Sequence, residues 1–254
     1  MKKGTVFMTE AQAVSEANRC LGCVEAPCVK NCPAGVNVPE FIRRIATADF
    51  SGAYDSVFRN NPAGFICGKT CPAGKLCRSE CNCGKLGGTV RISELQSFAV
   101  GKALEEGNLP RGEKTESNGM HVAVVGNGLF GIVCAYLLYE KGYSAVLLEA
   151  SECPGKDALR YVPDDKPEKE LFLREIELLL NGVEVRTGIQ TAEDVPDLSR
   201  FDAFVSGEED MPEWVSAAPG ERMIRAESRA GDAPVFEVAA AKDAADRVDA
   251  FLKG

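Results

Sequence analysis

The sequence predicts a chain of two parts, a helical region at residues 1–111 followed by an α/β region at residues 112–254. Nine of the eleven cysteines lie between Cys20 and Cys83, which sets the first part apart in composition. The segment GNLPRGEKTESNG is polar, contains glycine and has no apolar periodicity, as is typical of a linker. After it, strand and helix patterns alternate, and this alternation predicts a parallel sheet covered by helices.

Three segments of the first part have helical patterns. Thr9 and Gln12 stand at the spacing of a capping box, at the start of a segment without Gly or Pro. Asn37 begins a second helix with an apolar stripe, and residues 93–106 form a third. The cysteine-bearing pieces APCVKNCPAG and ICGKTCPAGKLC are rich in Gly and Pro, and we predict that they are loops.

The second part begins with a βαβ pattern. HVAVVG and SAVLLEA are predicted strands on either side of a helix over residues 129–140. An amphipathic helix then precedes the strand-like VEVRTG, and FDAFVSG is a further strand pattern. The pattern of the last 20 residues, VFEVAAAKDAADRVDAFLKG, predicts a C-terminal helix.

The overall charge and hydropathy exclude several classes of protein. A net charge of -9 and a pI near 4.9 repel phosphate backbones, so nucleic-acid binding is not expected. No apolar stretch reaches the length of a membrane span, and the first residues do not resemble a secretory signal. We therefore expect a cytoplasmic protein, in which crowded cysteines are metal ligands or redox centres in preference to disulfides.

The cysteines form two runs with ligand-like spacing. The first run has the pattern C-x2-C-x4-C-x3-C-P, and the second run spreads over 17 residues and contains another Cys-Pro pair. A cysteine before proline is typical of the last position in a bacterial ferredoxin run, where it serves the other of two clusters. Structural zinc is the alternative, but the only histidine, His121, lies outside both runs. The spacing favours two iron-sulfur clusters.

From Cys20 to Phe98 the sequence resembles the N-terminal iron-sulfur domain of dihydropyrimidine dehydrogenase and of the small subunit of bacterial glutamate synthase. The stretches GFICGKTCP and ISELQSFA carry this resemblance. In that family the chain crosses between two 4Fe-4S clusters. The resemblance therefore implies two ligand sets, one of Cys20, Cys23, Cys28 and Cys81, the other of Cys32, Cys71, Cys77 and Gln96.

The eighth ligand rests on the resemblance alone. Spacing would not have pointed to Gln96, because Cys67 and Cys83 are chemically better ligands. On the family pattern these two cysteines are spare, and they are then expected to be small buried residues. Whether Gln96 or one of them completes the second set stays open at this point.

A glycine pattern marks the start of the second part. In GNGLFG, the residues Gly126, Gly128 and Gly131 lie between a predicted strand and a predicted helix, and Glu149 ends the next strand. This is the arrangement of a dinucleotide fingerprint, in which the glycines admit a pyrophosphate to the helix N-terminus and the acid binds a ribose hydroxyl. The alternative is a Rossmann-like fold that binds no nucleotide.

The resemblance extends loosely over this second part and implies FAD there. Gly231 and Asp232, before the C-terminal helix, correspond to the Gly-Asp pair that closes the FAD domain of the family. Family members insert an NADPH domain before that pair, whereas only about 25 residues are available here, too few for a second βαβ unit. We therefore expect a reduced, Rossmann-like FAD-type domain without an NAD(P) site.

These features predict an accessory electron-transfer subunit of an anaerobic oxidoreductase. It would relay electrons through two 4Fe-4S clusters and FAD to or from a larger catalytic subunit or a ferredoxin-like carrier. No catalytic residues are predicted in the chain itself, and no Ser-His-Asp pattern is present. The alternatives are an iron-sulfur assembly or interaction module with a flavin-free Rossmann domain, and a small flavoenzyme that acts on ferredoxin.

Overall fold

The computed structural model describes residues 8–107, 115–126, 128–155, 157–162, 168–195, 197–207, 214–215, 222–227 and 233–254. The chain divides into two compact units. The first comprises Met1–Pro110, Tyr161–Glu175 and Ala233–Val235. The second comprises Arg111–Arg160, Ile176–Asp232 and Phe236–Gly254.

The first unit is helical, as the sequence predicts. Thr9 and Gln12 form the expected capping box, with each backbone N–H bonded to the other side chain at 2.9 and 3.3 Å. Asn37 accepts a hydrogen bond from the backbone N–H of Glu40 and so caps the second predicted helix. The helices are α1 (Glu10–Ala17), α2 (Pro27–Lys30), α3 (Val38–Ala46), α4 (Phe50–Phe58), α5 (Gly64–Thr70) and α6 (Ile92–Glu106), with a 3-10 helix at Asn82–Leu86.

The prediction that both cysteine-bearing pieces are loops is wrong in part. Pro27 opens the single turn of α2, where a missing N–H costs nothing. Residues 64–70 form α5 despite two glycines, and this helix ends at Cys71 because the residue before a proline disfavours helical geometry. The structure also contains α4, a helix that is not among those predicted from the sequence.

The N-terminus of α5 is capped by a carboxylate from far along the chain. The N–H groups of Phe65 and Ile66 donate to the two oxygens of Glu175, at 2.7 and 2.9 Å. Glu175 lies near the middle of α8 (Lys169–Leu180), and the ring of Phe172, one turn earlier, packs against the ring of Phe65 with 5.1 Å between the ring centroids. Burial raises the pKa of Glu175 to about 8, although the two N–H donors act in the opposite direction.

The second unit contains a parallel sheet of five strands in the order β3-β2-β1-β4-β5, counted over the described residues. The four predicted strands are present, and Val124 pairs with Leu147 on one side and Val205 on the other. Strand β5 is not predicted by the sequence, because it has only four residues and one of them is exposed. The strands are β1 (His121–Val125), β2 (Ser144–Leu148), β3 (Glu184–Arg186), β4 (Ala203–Gly207) and β5 (Met223–Ala226).

The helices of this unit alternate with the strands along the chain, as in a Rossmann-like fold. Helix α7 (Leu129–Glu140) connects β1 to β2 and has the predicted bounds, and α9 (Pro234–Lys253) is the predicted C-terminal helix. Short 3-10 helices lie at Asp157–Tyr161, Ala192–Asp194 and Leu198–Arg200. The predicted fold class, a helical region followed by a parallel α/β region, is confirmed. In the part of the chain that is described, no helix has the length and apolar character needed to cross a bilayer.

The Glu175 cap gives a prediction for the pH dependence of stability. Because its folded pKa is raised above 4.5, the buried carboxyl favours folding at low pH, and this contribution is lost as pH rises from about 4.5 to about 8. Glu175→Gln leaves one backbone N–H without an acceptor, so it should lower the free energy of unfolding by about 1–3 kcal/mol at pH 5. The deficit should shrink at pH 8. Anaerobic thermal unfolding of the wild type and of Glu175→Gln at pH 5 and pH 8 measures this difference in stability.

Glu177→Gln is the matched control, because Glu177 is exposed on the same helix. It should change the unfolding midpoint little and equally at both pH values. An equal deficit for Glu175→Gln at pH 5 and pH 8 would contradict the raised pKa.

Candidate iron-sulfur centres and dinucleotide site

The first candidate centre is a cavity at the surface of the helical unit. Its cysteines come from three places: the segment after α1, the turn of α2, and the residue that precedes the 3-10 helix at Asn82–Leu86. The empty space is about 360 Å³, including the part open to solvent, and Val38, Ile42 and Ile92 form an apolar wall. The cavity is lined by all four members of the first predicted set, Cys20, Cys23, Cys28 and Cys81, together with Cys83.

The second candidate centre is a separate cavity of about 350 Å³, measured in the same way. Cys32, the last cysteine of the first run, lines this cavity. The other predicted ligands come from the second cysteine run and from α6. Lining residues include all four members of the second predicted set, Cys32, Cys71, Cys77 and Gln96, together with Cys67. The structure therefore brings together each set that the resemblance implies, with the first run divided between the two cavities. That these residues ligate clusters stays a prediction.

The cysteines of each cavity affect one another electrostatically. Burial, followed by the proximity of Cys81 and Cys20, raises the pKa of Cys28 to about 11. Burial raises the pKa of Cys77 to about 12, with further contributions from Cys32, Cys71 and Cys28. Several thiolates can share such a space only if positive charge lies among them, because like charges raise one another's pKa. A cationic iron core supplies that charge, so the donor sets fit 4Fe-4S clusters.

Backbone amides are directed at the sulfurs in both cavities. The N–H groups of residues 34–36 donate to Cys32, and the N–H of Val235, in the first turn of α9, donates to Cys71. The side-chain amide of Asn82 lies 3.5 Å from the sulfur of Cys23. Hydrogen bonds to cluster sulfurs are one means by which a protein sets a reduction potential.

Gln96 has the orientation that a ligand through oxygen needs. It lies in α6, is 8% exposed, and donates through Nε2 to the carbonyl of Gly64 at 2.8 Å. With the amide nitrogen used in this way, Oε1 is the atom left for the cavity. The same hydrogen bond ties the side chain to the first residue of α5.

The two spare cysteines have hydrogen-bonding roles that the sequence did not reveal. The thiol of Cys83 donates to the carbonyl of Arg19 at 3.3 Å. Burial raises the pKa of Cys67, and its thiol donates to the sulfur of Cys71. This hydrogen bond raises the pKa of Cys67 further and lowers that of Cys71. Both cysteines are buried, as expected for residues that are not ligands.

A single metal ion requires its ligands closer together than a 4Fe-4S cluster does. Among the described residues, no three His, Cys, Asp or Glu side chains are placed to hold one ion together. In a 4Fe-4S cluster each thiolate binds a different iron, so the ligands surround a larger group.

The glycine pattern has the backbone geometry of a dinucleotide fingerprint. Gly126 follows β1 with φ of +143°, a conformation that favours glycine, and Gly128 is the N-cap of α7. A Cβ on Gly131 would lie 2.5 Å from the carbonyl oxygen of Gly126, so this glycine allows the helix to approach the strand closely. Glu149 follows β2 as predicted and is fully buried, accepting the N–H of Ser151 at 3.2 Å.

A carboxylate already occupies the N-terminus of α7, where a bound dinucleotide would place its pyrophosphate. The N–H of Phe130 donates to Oε2 of Glu237 at 3.0 Å, and Glu237 is 1% exposed. Arg160 pairs with the other oxygen of Glu237 at 2.5 Å. An FAD pyrophosphate therefore does not fit at this helix end as it stands. Gly231 and Asp232, also predicted to contact FAD, lie outside the described residues.

Two families of known domains match this chain. Residues 1–108 match the model described as dihydropyrimidine dehydrogenase domain II, 4Fe-4S cluster. Residues 124–201 match the NAD(P)-binding Rossmann-like domain. The predicted resemblance is thus confirmed, and the first part of the chain contains a 4Fe-4S domain. The second match names NAD(P), whereas the sequence analysis expected no such site, and that expectation stays a prediction.

Two proteins that are similar in sequence to this chain are consistent with the match to the 4Fe-4S domain. The PreT subunit of NAD-dependent dihydropyrimidine dehydrogenase of Escherichia coli K12 is 34% identical over 59% of this chain and 36% of its own length. The small chain of glutamate synthase [NADPH] from the same strain is 29% identical over 78% of this chain and 43% of its own length. The chain therefore spans less than half the length of these relatives.

The division of the ligands gives a prediction for iron content. Cys28→Ala removes one ligand of the first set, so it should reduce anaerobically purified protein from about eight irons to about four. The electron paramagnetic resonance signal of only one reduced cluster should be lost. Cys67→Ala and Cys83→Ala are the matched controls and should keep about eight irons. Loss of a cluster in either control would assign a ligand role to that cysteine.

Gln96 gives a prediction for reduction potential. Gln96→Cys replaces a neutral oxygen ligand by a thiolate, and the added negative charge should lower the midpoint potential of one cluster. The other cluster should keep its potential within the error of the titration. A redox titration followed by electron paramagnetic resonance measures both. Unchanged potentials in a variant with full iron content would show that residue 96 is not a ligand.

Proposed function

We propose that this chain is an electron-transfer subunit of an oxidoreductase complex, which relays single electrons through two 4Fe-4S clusters to or from a catalytic partner. The observation that carries the proposal is the sorting of the eight predicted ligands into two neighbouring cavities of one helical unit. Two clusters held close together by one small unit form a path for electrons, and 4Fe-4S clusters are one-electron carriers.

The names of the relatives support a partner. PreT is named as a subunit of a dehydrogenase, and the glutamate synthase relative is named as a small chain. Each is therefore one component of a larger enzyme. We propose by analogy that the substrate site of this complex lies on another chain, and that the complex operates in an anaerobic cytoplasm.

Exposed apolar side chains lie close in sequence to the predicted ligands of the first set and favour a protein as the redox partner. Leu21 lies between two predicted ligands and is 51% exposed, and Val24 directly follows Cys23 and is fully exposed. Leu86 ends the 3-10 helix that follows Cys81, and it is 71% exposed. Electron transfer slows steeply with distance, so a partner must dock beside a cluster, and such transient redox interfaces are small. We propose the first cavity as the point where electrons enter or leave.

The proposed relay sends no electron through FAD, because Glu237 occupies the expected pyrophosphate position. The same observation favours the second candidate function, an assembly or interaction module with a flavin-free Rossmann domain. The two candidates differ in redox behaviour: a relay must accept and pass on electrons at a rate that supports turnover, whereas a structural module need not.

The relay can be tested with the full chain, tagged and purified anaerobically from its host. A larger oxidoreductase subunit should copurify, and stopped-flow mixing with the dithionite-reduced chain should reduce that subunit. Leu21→Asp combined with Val24→Asp places charges on the docking surface and should slow this transfer by about tenfold or more. Phe251→Asp is the control, because Phe251 is exposed on α9 in the other unit.

Three outcomes would contradict the relay. The first is a chain that purifies alone and exchanges no electrons with host fractions. The second is an equal transfer rate in the Leu21→Asp/Val24→Asp variant with its clusters intact. The third is rapid dye reduction by the isolated chain with NADPH alone, which would indicate a complete flavoenzyme.

A further inference from the structure

The strongest feature outside the cluster cavities is the carboxylate of Glu237 at the start of α7. Its Oε2 accepts the N–H of Phe130, which is in the first turn of a 12-residue helix. Such N–H groups have no partner within the helix, and they carry the positive end of the helix dipole. Glu237 therefore supplies an anion to a position that attracts anions.

The second glycine of the fingerprint identifies which anion Glu237 replaces. In dinucleotide-binding folds this glycine lets the pyrophosphate approach the backbone. Here a Cβ on Gly128 would lie 3.1 Å from Oε2 of Glu237. The space that the missing side chain leaves is therefore taken by a carboxylate oxygen of this chain.

Arg160 completes the arrangement. Its Nη2 is 2.5 Å from Oε1 of Glu237 and would be 3.9 Å from a Cβ on Gly128. A guanidinium beside a helix N-terminus is itself suited to bind phosphate. In this structure the guanidinium and the helix end both bind the same buried carboxylate.

We infer that Glu237 is an internal substitute for the pyrophosphate and closes the Rossmann-like unit to FAD and NAD(P). A free dinucleotide must displace a carboxylate that is held within the chain at high effective concentration. If the carboxylate stayed in place, the pyrophosphate would meet a negative charge at close range in a buried site. This inference concerns the second unit alone, and it holds whether or not the clusters relay electrons.

The test uses the full chain with its clusters, purified anaerobically. Inorganic pyrophosphate and FAD are titrated into the wild type and Glu237→Ala, with thermal shift and calorimetry as readouts. The wild type should contain no FAD after purification and should bind neither ligand measurably. Glu237→Ala vacates the helix end beside Arg160, so it should bind pyrophosphate at least about tenfold more tightly, which corresponds to about 1.4 kcal/mol.

Two further variants keep the result interpretable. Asp243→Ala removes an exposed carboxylate of the same helix, which pairs only with Arg247 at 3.5 Å in the described contacts, and it should behave as the wild type. Glu237→Gln can still accept the N–H of Phe130 but loses the charge, so its pyrophosphate affinity should lie between those of the wild type and Glu237→Ala. Iron content and circular dichroism verify folding.

The inference is overturned if the wild type purifies with stoichiometric FAD. It is also overturned if the wild type binds pyrophosphate as tightly as Glu237→Ala, or if folded Glu237→Ala and Glu237→Gln both gain nothing. None of these results depends on electron transfer, so failure of this inference and failure of the relay can be told apart.

Discussion

The helical unit depends on one electrostatic constraint, the confinement of several thiol groups in small partly buried cavities. Burial and mutual proximity raise the pKa of Cys28 to about 11 and that of Cys77 to about 12. Thiolates at these positions are stable only around positive charge, and a cationic cluster core provides it. The helices also bury an apolar core, which includes Phe41, Phe65 and Phe98. The placement of the cysteines around the cavities is therefore linked to the clusters that the two sets are predicted to bind.

Much of this part of the structure could be predicted from sequence, because it is local. The spacing of the cysteines and the proline after Cys32 predict two clusters, and the family resemblance implies which cysteines belong to each set. The capping box at Thr9 depends on neighbours three residues apart. Gln96 needed the family resemblance, since nothing in its local sequence distinguishes it from any glutamine of an amphipathic helix.

The contacts that sequence reasoning missed join residues far apart in the chain. Glu175 caps α5 from 110 residues away, and Glu237 reaches Phe130 from 107 residues away. No sequence motif marks either glutamate, because glutamate is common in helices and both residues lie in helices. The glycine pattern predicts the backbone turn between β1 and α7, whereas the group that occupies the space beside Gly128 is visible only in the fold.

The two candidate centres lie close enough to affect each other electrostatically. Cys28 lines the first cavity and Cys77 the second, yet the proximity of Cys28 contributes to the raised pKa of Cys77. Charge on one centre is therefore felt at the other. With clusters in both cavities, the first electron makes the second harder to add, so reduction of the pair is anticooperative. When both clusters are reduced, the first electron to leave is lost more readily than the one that remains, so the pair is better suited to pass electrons singly than to store two.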